Sequence, residues 1–124
     1  MLPDKFLSVL QHEGVVAIAT QGAGGRPHLV NTWNSYIQIS HDGQLLVPVG
    51  GMHTTEANVS ANHVVLLTAG SREVEGKRGR GTGFLLTGTA EFVYAGADFD
   101  LIKIKFPWAR AALKLSITEI AQTL

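Results

Sequence analysis

Leu45-Leu46-Val47-Pro48-Val49-Gly50-Gly51-Met52-His53-Thr54-Thr55-Glu56-Ala57-Asn58-Val59 is the stretch around which this 124-residue chain is organised. It opens as a valine-rich apolar run, the composition of a buried strand. Pro48 lacks a backbone donor, which puts it at a sheet edge or a bulge. Gly50-Gly51 lets the backbone turn through conformations closed to other residues and lets a ligand approach closely. Thr54 and Thr55 are both suited to cap a helix, and Glu56 to Val59 continues as a helical turn or two. Strand, paired glycines, hydroxyls and helix start together make a candidate phosphate cradle. Amides at a helix N-terminus point at the ligand, and the helix dipole favours negative charge. A bare turn between strand and helix accounts for the same residues.

Outward from this stretch the chain reads as short strands with few helices. Pro3 to Glu13 is an amphipathic helix with Leu2, Phe6, Val9 and Leu10 on one face and Gly14 as its stop. Val15 to Thr20 is a buried strand, and Gly22 to Pro27 is the loop of a hairpin. His28 to Ile39 alternates as one strand, with polar groups on both faces around Asn31 to Ser35; a polar ligand edge would require such groups. His41-Asp42-Gly43 turns the chain into Leu45. Beyond Val59 come a strand at Val64 to Ala69, a charged glycine-rich loop at Ser71 to Gly81, and a long strand at Thr82 to Tyr94. Gly96 to Phe106 is helical, Pro107 breaks it, and Leu113, Leu115 and Ile117 alternate in a last strand. The fold class is mainly β with short helices: six strands joined by hairpin-length loops, closing as an antiparallel, Greek-key-like barrel in one domain, 1–124. A parallel doubly wound sheet needs more helix between strands than this.

Composition narrows the function classes. The chain is 45% hydrophobic and 16% charged, and ten Lys+Arg balance ten Asp+Glu. That balance argues against a nucleic-acid or anionic-membrane partner. There is no cysteine, which excludes disulfides, thiolate metal sites and thiol nucleophiles. The five histidines show no metal-ligand spacing, and no Gly-x-Ser-x-Gly elbow anchors a hydrolase. The first residues lack a signal-peptide layout, and no apolar run reaches the roughly 18 residues of a membrane span. A cytoplasmic location is the expectation.

Three further groups bear on ligands. Trp33 and Tyr36, beside Asn31, Thr32, Asn34 and Ser35, could hold a flat heteroaromatic ring; packing of both aromatics in the core is the alternative. Gly81-Thr82-Gly83 could bring backbone amides to a ligand or mark a bulge. Lys77, Arg78 and Arg80 could touch phosphates or form a solvated loop.

At the level of whole blocks, Val15 to Gly22, Pro27 to Tyr36, Val47 to His53, Thr55 to Val59, Gly81 to Leu85, Trp108 to Leu113 and Gln122-Thr123-Leu124 resemble the small FMN-binding proteins of sulfate-reducing bacteria. The resemblance runs nearly end to end. It implies a split-barrel fold related to pyridoxamine-phosphate oxidases and flavin reductases, a homodimer, and one non-covalent FMN per subunit near the dimer interface. By position, Val30, Asn31, Thr32 and Trp33 would line the isoalloxazine. Pro48, Val49, Gly50, Gly51, Met52, His53, Thr54 and Thr55 would curl around the ribityl phosphate. Trp108 and Leu124 would reach the flavin from the partner subunit, and Gly81 and Thr82 complete the expected cofactor-binding set. A member of the family carries Lys at the position of Thr54. Thr replaces a point charge by one hydroxyl, at a cost of about 0–1 kcal/mol if that Lys is exposed, so FMN is still expected to bind.

The implied function is electron transfer to unidentified redox partner proteins, at a low potential because apolar walls disfavour an anionic reduced flavin. Glu13 could add a negative charge near the site. An NAD(P)H-dependent flavin reductase or a related oxidase is the alternative, although no dinucleotide fingerprint is present. No side chain stands out as a general acid or base.

Overall fold

The computed structural model describes residues 2–124. Among them, seven strands form one antiparallel sheet in the order β2-β1-β5-β6-β7-β4-β3. In chain order the elements are α1 (Asp4–Leu10), β1 (Val15–Gln21), β2 (Pro27–Trp33), a 3-10 turn (Asn34–Tyr36), β3 (Gln38–Ile39), β4 (Leu45–Val49), α2 (His53–Ala61), β5 (Val64–Glu75), β6 (Arg80–Val93), α3 (Ala97–Lys105) and β7 (Ala111–Gln122). The sheet curls around its core as a split barrel, with β2 and β3 as its free edges.

The seventh strand comes from one break. The alternating stretch His28–Ile39 is not a single strand, because the chain leaves β2 at Trp33 and turns through Asn34–Tyr36 before β3. Asn34 is fully buried, and its Nδ2 donates to the carbonyls of Val9 (3.3 Å), His12 (2.8 Å) and Gly70 (3.0 Å). The first two lie at the C-terminal end of α1, where Val9 O also accepts from His12 N (3.1 Å), so the amide adds to the closure of that helix end. The helix ends at Leu10, short of the expected Glu13, and Gln11 closes it with its backbone N–H.

β4 is buried along its whole length. Leu45, Val47 and Val49 face the main core with Phe6, Ile18, Leu67, Phe84 and Leu113. Leu46 faces a second cluster under α3, with Ile102, Phe106, Ala109 and Ala112. An apolar run covered on both sides needs no alternation. The β3 ladder reaches only Leu45 and Leu46, so the β4 backbone at Pro48 is locally an edge, as its missing donor requires. The expected Ser71–Gly81 loop is mostly strand: β5 runs to Glu75, β6 begins at Arg80, and the turn closes with Gly76 N donating to Gly79 O (2.7 Å). No helix among the described residues is long and apolar enough to cross a membrane.

Candidate functional site

The turn from β4 into α2 is built differently from its sequence expectation. Neither Gly50 nor Gly51 has a positive φ; Met52 does, at φ 55° and ψ 36°. A side chain in that left-handed region costs roughly 1–2 kcal/mol unless its surroundings hold it there. Helix α2 starts at His53 with Met52 as its flanking residue, and no side chain caps it. Thr54 and Thr55 therefore lie inside the first turn and are not caps. Glu56 N donates to Met52 O at 2.9 Å, the first bond of the helix. Ahead of it, the amides of Gly51, Met52, His53, Thr54 and Thr55 meet no acceptor among the described residues. Thr55 is fully buried, and its hydroxyl has no partner. Buried polar groups are rarely left so. Thr54 and His53 are exposed.

One side chain organises the other side of this turn. Arg110 Nε donates to Gly50 O (2.8 Å) and Nη2 to Gly51 O (2.6 Å). The same guanidinium meets Glu56 through Nη1–Oε2 (3.2 Å) and Nη2–Oε1 (2.9 Å). Tyr94 also donates its hydroxyl to Glu56 Oε2. The Arg110 bond and then the Tyr94 bond hold the Glu56 carboxyl below its usual range, and the same Glu56 contact raises the Tyr94 phenol. Asn58 ties α2 to β1 by donating to Thr20 Oγ1 (3.1 Å). Sequence reading passed over Arg110 and Tyr94 because their partner Glu56 lies 54 and 38 residues away along the chain.

The expected site residues fall into two groups. Pro48 to Thr55 gather at the turn, and Trp108 joins them. A Cβ on Gly50 would come 3.4 Å from its ring, so the indole lies over the turn. Val30, Asn31, Thr32 and Trp33 run along β2, with Thr32 buried and Asn31 and Trp33 exposed. Tyr36 is not paired with Trp33; its ring packs on Phe106 (5.1 Å) and Trp108 (5.8 Å). The second group, Gly81, Thr82 and Leu124, meets at the far end of β6. Thr82 Oγ1 donates to Leu124 O at 2.8 Å, and Gln122 Nε2 donates to both of their oxygens. These residues line a cleft of about 960 Å³ whose other walls include Glu13, Gly14, Gly70 and the cations Arg72, Lys77, Arg78 and Arg80. Glu13 accepts from the Ser35 hydroxyl at 2.6 Å, which holds its carboxyl below the usual range. Chemically, the turn offers a phosphate a run of unpaired amides and a spare hydroxyl. The exposed strand beside it offers a ring one aromatic and one amide side chain.

Comparison with known proteins places the chain in a family. The family described as pyridoxamine 5'-phosphate oxidase matches residues 2–123. An FMN-binding protein of Nitratidesulfovibrio vulgaris (strain Miyazaki F) is 56% identical over 124 residues, covering all of both chains. Among solved structures, HupZ of Group A Streptococcus superposes with a TM-score of 0.81 at 17% identity, over 98% of this chain and 94% of that one. An FMN-binding protein from Syntrophomonas wolfei gives 0.77 at 14% identity, over 98% and 85%. With its split-barrel sheet and a family match over residues 2–123, the chain belongs to the pyridoxamine 5'-phosphate oxidase family.

Proposed function

We propose that this protein is a flavoprotein that holds one non-covalent FMN per subunit and passes electrons between partner proteins. The observation that carries the reading is the β4–α2 turn, where five successive amides, Gly51 to Thr55, lack acceptors beside a buried, unpartnered Thr55 hydroxyl. They would bind the phosphate, so the missing Lys at Thr54 is not decisive. Val30 to Trp33 would line the ring. When bound, FMN supplies reversible one- and two-electron chemistry; the chain contributes binding, orientation and exclusion of water.

The working unit in this reading is a homodimer. On β2, β1 and β5, cross-strand register puts Leu29 beside Ala19 and Leu66, and Trp33 beside Val15. Leu29 is 68% exposed, Val15 49%, Trp33 45% and Leu66 42%. An apolar sheet face of this kind marks an interface. Trp108 and Leu124, both exposed, would meet the flavin of the partner subunit, and with them Gly81 and Thr82. The expected setting is cytoplasmic.

A second reading, an NAD(P)H-dependent flavin reductase, is favoured by one feature: the 960 Å³ cleft walled by four cations. A visible spectrum of the purified protein decides between them. A flavin spectrum bleached by dithionite but barely by NADH supports the carrier. Fast bleaching by NADH with reoxidation by an acceptor supports the reductase. A colourless protein that takes up no added FMN defeats both.

A further inference from the structure

A peptide unit is planar and trans, so each carbonyl points opposite to the N–H that shares its plane. Gly50 O shares a plane with the Gly51 amide, and Gly51 O with the Met52 amide. Arg110 holds both of these carbonyls, at 2.8 and 2.6 Å. The Gly51 and Met52 amides must therefore point away from the guanidinium, and in the chain they directly precede the free amides of the first α2 turn. Glu56 meets two further donors of the guanidinium at 2.9 and 3.2 Å and offsets its charge, and Nη2 also lies 3.4 Å from His53 Nδ1. What Arg110 gives the turn is direction.

We propose that Arg110 is the positioning residue of the phosphate site: its fork, braced by Glu56, sets the two peptide planes that aim the Gly51 and Met52 amides at the anion and holds Met52 in its left-handed conformation. The proposal rests on the reading of this turn as a phosphate cradle. A lysine could supply charge there, but it has no planar fork with which to hold two carbonyls and a carboxylate together. Backbone donors fixed by such outside contacts lose little freedom when an anion arrives, and that raises affinity.

The test compares FMN with riboflavin, which lacks only the phosphate. Apoproteins of wild type, Arg110→Met, Arg110→Lys and Glu56→Gln are titrated with each flavin by fluorescence quenching, and thermal melts verify folding. In Arg110→Met, FMN affinity should fall roughly 10- to 100-fold, the scale of one or two lost charge-assisted hydrogen bonds. Riboflavin affinity should change less than about twofold. Arg110→Lys should recover little of the FMN preference, and Glu56→Gln should lose part of it. An unchanged FMN-to-riboflavin ratio in Arg110→Met overturns the proposal, and so does full recovery in Arg110→Lys, which would make charge the active property. If Arg110→Met does not fold, an unchanged ratio in both Arg110→Lys and Glu56→Gln overturns it equally. Wild-type protein that takes up neither flavin defeats the FMN reading itself; wild-type preference for FMN that survives every variant defeats only the role of Arg110.

Discussion

Two glycine-rich junctions of this molecule have basic side chains beside them, and they use them in opposite ways. At the β4–α2 turn a single guanidinium spends its donors on Gly50, Gly51 and Glu56, leaving a row of backbone amides open. At the β5–β6 hairpin four cations line a cleft. Arg80 is paired with Glu73 and Lys77 donates to Gln122 O, while Arg72 and Arg78 have no hydrogen-bond or ionic partner among the described residues. The first arrangement is fixed before a ligand arrives; in the second, long side chains lose rotamer freedom on binding. Counting charges along the sequence ranks the hairpin first as an anion site. Counting unmet backbone donors in the structure ranks the turn first.

The largest expected effect separates the buried latch behind Gly70, a cleft-lining residue, from the turn. Asn34→Ala removes a buried amide that bonds three carbonyls and should cost about 2–4 kcal/mol, read as a lower urea midpoint. The FMN-to-riboflavin ratio should stay at the wild-type value; a fall in that ratio would mean that the two regions are not independent. Thr55→Val then sharpens the account of the turn from within. Removing a buried, unpartnered hydroxyl should stabilise the apoprotein by about 1 kcal/mol while FMN binding weakens several-fold, a trade of stability against function. Melting curves and flavin titrations on the same samples would show both, and a gain in stability with no loss of affinity would remove Thr55 from the phosphate site.

Acid probes the brace. The Glu56 carboxyl is held below its ordinary value of 4.5, first by Arg110 and then by Tyr94. A depressed folded-state value gives stability that is complete above about 4.5 and is lost as pH falls through the folded value. Apoprotein melting temperature should therefore fall in that acid range. Glu13 and Asp42 are shifted in the same direction, so the contribution of Glu56 is the part of the slope that Glu56→Gln removes. The smallest effect belongs to the hairpin: Arg72→Ser with Arg78→Ser should move stability by less than about 0.5 kcal/mol. FMN affinity should hold, and any salt-dependent interaction of the holoprotein with NADPH should weaken. A large loss of FMN affinity in this variant would reverse the ranking of the two junctions.

Much of the scaffold is legible in the chain. The alternation of Thr82 to Tyr94, the apolar run at Leu45 to Val49 and the turn at His41 to Gly43 each depend on neighbours in sequence, and each lies where expected, give or take a residue or two at the ends. What escapes the sequence depends on distant partners. Alternation through Asn34 suggests one continuous strand, but its amide is claimed by carbonyls on α1, the following loop and β5. Thr54 and Thr55 have the chemistry of caps, yet the helix begins at His53 and both lie inside its first turn. Trp33 and Tyr36 look like partners at three residues apart, and the 3-10 turn sends Tyr36 to Phe106 and Trp108 instead.

Asn34 also bears on time. Its three acceptors lie 25, 22 and 36 residues away in the chain, so the amide can engage them only after the first helix, the barrel edge and the fifth strand have assembled. Contacts that form late would act mainly on the rate of unfolding, so Asn34→Ala is expected to speed unfolding more than it slows folding, as stopped-flow traces would show. A protein latched in this way would open slowly once closed, and slow opening would guard it wherever cleavage outpaces reclosing.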